Sequence, residues 1–231
     1  MRVLALDTAL GACQAAVVTS ARPEAAVIRR IDGAVGRSEA IVGLADEALA
    51  AAGAGFGDIG RIAVTVGPGS FTGIRVALGY ARGLGAALGV PVIGVGTLDA
   101  FAAEAAADSF GAAADPAAVR IVAVVDARHG AAYARCYDGA GSGRNEPSRM
   151  KLEEIAATMP PGAIVIGNAA DLLAAALGHA PPSRSLQREA VDIVTLARFA
   201  LAARPPLPRA APLYLREADA IAPARAQVAR R

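Results

Sequence analysis

Apolar and polar positions alternate with two different periods along this chain, and the changes of period mark out its elements. Residues 2–6 form a short apolar run that closes on Asp7. Residues 13–18 form a second run after a turn at Gly11, and residues 25–31 a third after Pro23. Their close succession predicts an antiparallel meander of three strands. From Ser38 the period lengthens: Ile41, Leu44, Ala45, Ala48 and Leu49 recur at helical spacing. Ser38 suits an N-cap, Glu39 complements the positive end of the helix dipole, and Gly53 is a natural stop. Residues 61–66 then read as a buried strand, 67–73 as a tight loop, 72–88 as a helix and 90–95 as a strand. That succession predicts a right-handed βαβ unit on a parallel edge of the sheet. Thr97 can cap a further helix reaching about residue 107.

Between residues 108 and 116 the composition shifts to Ala, Asp, Gly and Pro, which marks the connection to a second lobe. That lobe restarts with an apolar strand at 121–125 closing on Asp126, a partner strand at 131–137 and a turn at 139–143. A short helix (151–158), a strand (163–166), a helix (168–177) and a loop (181–185) follow. A long helix spans 190–203, ended by Pro205, Pro206 and Pro208. After Ile221 periodicity fades. The expected division is a first lobe at 1–107, a smaller second lobe at 108–220 and a disordered basic tail at 221–231. In this reading the final helix, about 190–203, packs back on the first lobe. The lobes open alike, each with a short apolar strand ending in aspartate, then a turn and another strand. This echo predicts an α/β protein of two duplicated ribonuclease-H-like units, with Asp7 and Asp126 facing a common cleft.

Composition sharpens the class. The chain has 231 residues, of which 55% are hydrophobic and 19% charged, enough to build a core and too apolar for disorder. Alanine supplies 60 of them, so the apolar content speaks for helices. The uncharged stretch 83–98 is broken by five glycines and Pro91 and does not read as a membrane span. Asp7 interrupts the first apolar run before a signal-peptide core accumulates, so a cytoplasmic setting is expected. Net charge is +2 and Lys151 is the only lysine. Without tryptophan and with few aromatics, the whole-chain composition is not a nucleic-acid footprint. Cys13 and Cys136 lie far apart in apolar runs and read as core residues rather than a redox pair.

The glycine loop 67–73 follows a strand and opens a helix, where free N–H groups can hold an anion. The spacing favours the alternative, a tight strand-to-helix turn needing glycine dihedrals. No Lys-Ser or Lys-Thr follows, so it is not a Walker loop. Asp7 and Asp126 either hold a magnesium–nucleotide complex or cap the turns at their strand ends. His129 and His179 are the only histidines, and no zinc or iron spacing is present. In the helix 72–88, Gly79 and Gly83 each cost about 1 kcal/mol relative to alanine. Close packing within the chain or a subunit interface can offset that cost. Arg75, Gly79, Arg82 and Ala86 recur at three or four residues and share one face.

The segments Arg2-Val-Leu-Ala-Leu-Asp-Thr-Ala-Leu-Gly-Ala-Cys13, Val66-Gly-Pro-Gly-Ser-Phe-Thr-Gly-Ile-Arg-Val76 and Gly89-Val-Pro-Val-Ile-Gly-Val95 resemble the TsaB (YeaZ) family. Val124-Val-Asp-Ala-Arg-His-Gly130 is similar to the start of that family's second lobe, and Pro212-Leu-Tyr-Leu-Arg216 to its C-terminal signature. The resemblance implies the two-lobed fold of the actin, sugar-kinase and heat-shock ATPase superfamily. It implies a non-catalytic assembly subunit for a TsaD-type enzyme that, with a TsaE-type ATPase, installs threonylcarbamoyl on adenosine 37 of tRNA. It further implies a homodimer when alone, tRNA reached only through the complex, no cofactor, no metal and no membrane. TsaD proteins carry a His-x-x-x-His metal pair whose matching positions here are Thr97 and Phe101, neither a useful ligand. The first helix opens with Arg37-Ser38 where many family members have His-Ser. The expected partner interface comprises Ser38, Ile41, Ala45, Arg75, Leu78, Gly79, Arg82, Gly83 and Ala86. The competing reading is a free-standing ATPase or small-molecule kinase of the same superfamily, using Asp7 and Asp126.

Overall fold

Strand β1 (Arg2–Asp7) is apolar along nearly its whole length because both of its faces are covered. It lies at the centre of a five-stranded sheet, between β2 (Ala12–Thr19) and β4 (Ile59–Gly67), with β3 (Arg22–Asp32) and β5 (Val92–Gly96) outermost. β1, β2 and β3 form the antiparallel meander, and β4 and β5 run parallel to β1. The structure is a computed structural model and describes residues 1–33, 38–109, 119–177 and 182–215.

The second sheet repeats this order. β6 (Arg120–Asp126) is central, between β7 (Ala131–Asp138) and β9 (Ile164–Gly167), with β8 (Ser148–Lys151) and β10 (Arg184–Gln187) outermost. β6 to β8 are antiparallel, while β9 and β10 continue parallel to β6. Each strand of the first sheet therefore has a counterpart in the second, which is the duplicated ribonuclease-H-like architecture expected from the sequence.

Helices α1 (Ile41–Ala51) and α2 (Phe71–Leu88) close one face of the first sheet around Leu4, Leu6, Ile62 and Val64. Helices α4 (Leu152–Thr158) and α5 (Ala170–Ala176) close one face of the second around Val122 and Val124. The remaining two faces share a continuous core with α3 (Thr97–Ser109) and α6 (Ile193–Ala202). α6 packs on β1, β2 and β4 of the first sheet. Arg61 on β4 donates to the carbonyls of Ala200 and Ala203, satisfying acceptors at the end of α6. Two ionic clamps tie α3 to the second lobe. Asp99 accepts from Arg135 and from the Tyr137 hydroxyl, both at 2.8 Å, and Glu104 pairs with Arg188.

Three elements differ from expectation. The segment read as a loop at 181–185 runs into strand β10, whose polar sequence buries only Leu186 and so shows no alternation. Strand β8 was not anticipated for the same reason: Ser-Arg-Met-Lys pairs with β7 at a sheet edge. The last helix starts at Ile193 rather than 190, because Asp192 caps it by accepting from the Val194 and Thr195 amides. The tail at 221–231 and nearly all of the 108–116 connection lie outside the described residues.

Candidate functional site

The C-terminal end of β1 meets the first lobe's glycine loop and the segment leading into α6. Asp7 is fully buried there. One of its oxygens accepts from the Ala9 amide at 3.0 Å and the Thr65 hydroxyl at 2.7 Å, and the other from Gln14 at 3.0 Å. Gln14 also donates to the Val191 carbonyl, and Arg30 reaches the Gln14 amide oxygen. Burial pushes the Asp7 carboxyl above the ordinary range, against the lowering effect of these donors and of Arg30. Chemically this is a satisfied carboxylate holding β1, β2, β4 and the approach to α6 together. The sequence offered one overlooked signal for it: Gln14 is the lone polar residue inside an apolar strand.

The glycine loop explains itself by what it touches. A Cβ on Gly73 would stand 1.9 Å from the Thr8 carbonyl oxygen, and one on Gly69 would stand 2.3 Å from that of Ala9. Ser70 donates its amide to the Ala9 carbonyl at 2.7 Å and caps α2 by accepting from the Gly73 amide. Thr8 donates its hydroxyl to the Gly73 carbonyl at 2.6 Å. Two of the amides an anion would need are thus engaged, and the glycines serve the approach of the Thr8–Ala9 turn. Gly67 also needs its freedom, with φ of 106°.

The outer face of α2 carries Arg75, Gly79, Arg82, Gly83 and Ala86, all exposed. Added Cβ atoms at Gly79 and Gly83 would meet nothing within 4 Å. At the start of the helix, Arg75 lies over the Phe71 ring at 3.6 Å and donates to the Tyr214 hydroxyl at 2.9 Å. Phe71 and Tyr214 are themselves half exposed. At its far end, a groove of about 370 Å³ opens between Arg82, Ala86, Val92 and Arg209. The other expected interface residues are elsewhere: Ser38, Ile41, Ala45 and Leu78 are buried in the chain's own core, facing away from that surface.

Asp126 ends β6 as Asp7 ends β1, but it is exposed. It accepts from the Arg128 amide, and its own amide donates to Asn168. Thr97 and Phe101 are buried one turn apart on α3, with Phe101 in the core shared by the two lobes. Cys13 and Cys136 are free thiols, and burial pushes Cys13 up to about 11. His129 is exposed, and His179 lies outside the described residues. No three His, Cys, Asp or Glu side chains cluster as a metal would require among the described residues.

The family model described as TsaD, tRNA N6-adenosine threonylcarbamoyltransferase, matches residues 35–197. The chain belongs to this family. Among its relatives, the tRNA threonylcarbamoyladenosine biosynthesis protein TsaB of Escherichia coli is 32% identical over 170 residues, covering 70% of this chain and 63% of that protein. The TsaB of Haemophilus influenzae is 35% identical, covering 58% of this chain and 52% of that protein. These matches thus span less than two thirds of either relative's length. The solved structure of YeaZ from Pseudomonas aeruginosa superposes with a TM-score of 0.75 at 26% identity, covering 93% of this chain and 99% of that one. The two-lobed fold is therefore that of the TsaB/YeaZ proteins, as the five quoted sequence segments implied. No helix among the described residues is long and apolar enough to cross a membrane.

Proposed function

We propose that this chain is a non-catalytic subunit that binds and supports a TsaD-type catalytic subunit in transferring threonylcarbamoyl to adenosine 37 of tRNA. A TsaE-type ATPase completes the assembly in the cytoplasm, and the chain pairs with a second copy of itself when alone. The observation that carries this reading is the likeness to Escherichia coli TsaB and, over nearly the whole chain, to YeaZ. The site chemistry agrees with it. Asp7, the residue a kinase of this fold would use, is fully buried and engaged by three donors. Thr97 and Phe101, the positions that the family resemblance matches to the histidine pair of TsaD proteins, are buried.

The docking surface in this reading is the outer face of α2. Its centre is the open backbone at Gly79 and Gly83, its rim Arg75 and Arg82, and α1 adds the exposed Val42. Ser38, Ile41, Ala45 and Leu78 support that surface from behind. Depletion of the protein, followed by mass spectrometry of tRNA nucleosides, tests the function: threonylcarbamoyladenosine disappears. An unchanged level, with no second copy of the gene, refutes the reading. Magnesium-dependent ATP turnover by the purified chain, lost on Asp7→Asn or Asp126→Asn, would favour the kinase instead.

A further inference from the structure

Strand β8 is an edge strand whose register sets Arg149 opposite Tyr133 and Lys151 opposite Ala131. The register of β7 with β6 sets Tyr133 opposite Val125 and Arg135 opposite Ala123. Directly paired residues share a side of the sheet. Tyr133, Arg135, Arg149 and Lys151 therefore lie on the face of Val125 and Ala123, the one that meets α3. That helix lies over β6 and β9, leaving Tyr133 half-buried and Arg149 and Lys151 exposed. The opposite face is closed by α4, which carries Glu153 and Glu154, and by α5. Glu154 accepts from the Lys151 amide at 3.1 Å, so its carboxylate caps α4 beside the end of β8. On the cationic side Asp99 is taken by Arg135. Among the described residues, the side chains of Arg128, Arg149 and Lys151 have neither an ion-pair nor a hydrogen-bond partner.

The turn between β6 and β7 extends this surface. Gly130 accepts from the Leu152 amide, which sets Arg128 and His129 beside the end of β8. Arg128, His129 and Gly130 hold φ of 62°, 55° and 69°, three successive left-handed residues of which two bear side chains. Such a backbone persists only where its surroundings over-determine it. Here the Asp126 carboxylate holds the Arg128 amide, Asn168 holds the Asp126 amide, and Ala131 donates back to the Arg128 carbonyl. Protection of a sheet edge accounts for cations on β8. It does not account for a strained turn presenting a further cation, nor for a half-buried tyrosine beside them.

We infer that this face of the second lobe, Arg149 and Lys151 beside Tyr133 with Arg128 in the adjoining turn, binds the phosphate backbone of RNA. The unpaired cations neutralise phosphates without first breaking a salt bridge, and Tyr133 offers a ring to an unstacked base. The inference rests on the function proposed above and adds that this chain touches the tRNA itself.

The test uses the full chain assembled with its TsaD-type partner and a fluorescent, unmodified tRNA transcript. Affinity is measured from about 50 to about 200 mM salt for wild type and for the double variant Arg149→Ala with Lys151→Ala. The variant binds more weakly at low salt, and the slope of log affinity against log salt flattens by about 1 for each phosphate contact removed. Affinity and slope equal to wild type, in a variant that still joins the partner, overturn the inference. So does a variant that loses the partner while the slope is kept, because the face would then be a protein contact. Modification supported by wild type in the same preparation separates the two readings. If wild type supports it and the variant binds tRNA normally, only this inference falls. If wild type neither joins the partner nor supports modification, both fall.

Discussion

A single methyl group placed at two positions of α2 should act with opposite sign. At Gly73 the added Cβ would stand 1.9 Å from the Thr8 carbonyl oxygen, about 1.5 Å inside ordinary van der Waals contact. The atom it meets is backbone, in a turn tied down by the Ala9 amide to Asp7 and the Ser70 amide to the Ala9 carbonyl, so it cannot swing aside as a side chain would. The start of α2 must lift from the Thr8–Ala9 turn instead. Lifting breaks the Thr8 hydroxyl to Gly73 carbonyl bond at 2.6 Å and the Ser70 amide to Ala9 carbonyl bond at 2.7 Å. Each buried group left unpaired costs about 1–3 kcal/mol, and alanine returns less than about 1 kcal/mol in helix propensity at the first turn. Gly73→Ala is therefore expected to destabilise by about 2–5 kcal/mol, a fall in Tm of about 5–15 °C for a chain of this size. At Gly79 nothing lies within 4 Å of the same methyl group. Only propensity acts there, and Gly79→Ala should stabilise by about 0.5–1 kcal/mol. Urea unfolding followed by circular dichroism compares the two variants with wild type at equal slope. A Gly73→Ala variant within about 0.5 kcal/mol of wild type would refute the close-approach argument. A Gly79→Ala variant as unstable as Gly73→Ala would show that the outer face of α2 is not open.

Other expectations follow from the same contacts. Gly79→Leu should leave the isolated chain folded but abolish co-purification with a TsaD-type subunit; a folded variant that binds at wild-type strength moves the docking surface away from α2. Burial raises the Asp7 carboxyl, so the folded state holds its proton more tightly than the unfolded chain. Its contribution is fully present below the ordinary carboxylate value and declines as pH rises through the raised one. Asp7→Asn should flatten that decline in urea titrations, and an unchanged profile would show that Asp7 does not carry it. Arg188→Ala strands the largely buried Glu104, whose carboxyl burial already pushes upward, and should cost about 1–3 kcal/mol. Much of that loss should return in Arg188→Ala with Glu104→Gln, and a double variant no better than the single one would count against the clamp.

The elements that the sequence made legible are those whose faces are both covered or cleanly divided. β1, β4 and β6 announce themselves as continuous apolar runs because helices close them on either side. β8 and β10 do not, because a four-residue edge strand takes its shape from one neighbour's hydrogen bonds and needs little apolar pattern of its own. Helical spacing placed Arg75, Gly79, Arg82 and Ala86 on one face of α2, and the structure leaves that face open. The same spacing did not say which side of α1 looks outward. Ile41 and Ala45 are apolar because they face the first sheet, whereas exposed Val42 is one residue away. Periodicity identifies a buried stripe, and a stripe buried by the chain's own sheet is indistinguishable from one buried by a partner until the sheet is placed.

The paired aspartates show where pattern reading runs out. Asp7 and Asp126 occupy matching strand ends of a duplicated fold, so sequence treats them as equivalents. Tertiary neighbours make them opposites. Asp7 is met by Gln14 from β2, Thr65 from β4 and, through Gln14, the Val191 carbonyl, 177 residues beyond Gln14. Asp126 meets only the amide of its own turn and remains in solvent, with Asn168 at its backbone. A carboxylate that keeps three buried donors satisfied is costly to replace, because each donor would otherwise be left unpaired in a dry site. Asp7 thereby has a structural role, holding β1, β2 and β4 together. The exposed Asp126 instead fixes a strained turn that carries Arg128 and His129 beside the end of β8. The two halves of the duplication have thus come to rest on different physical grounds: one strand end locks the lobes together, and the other holds a cationic surface open.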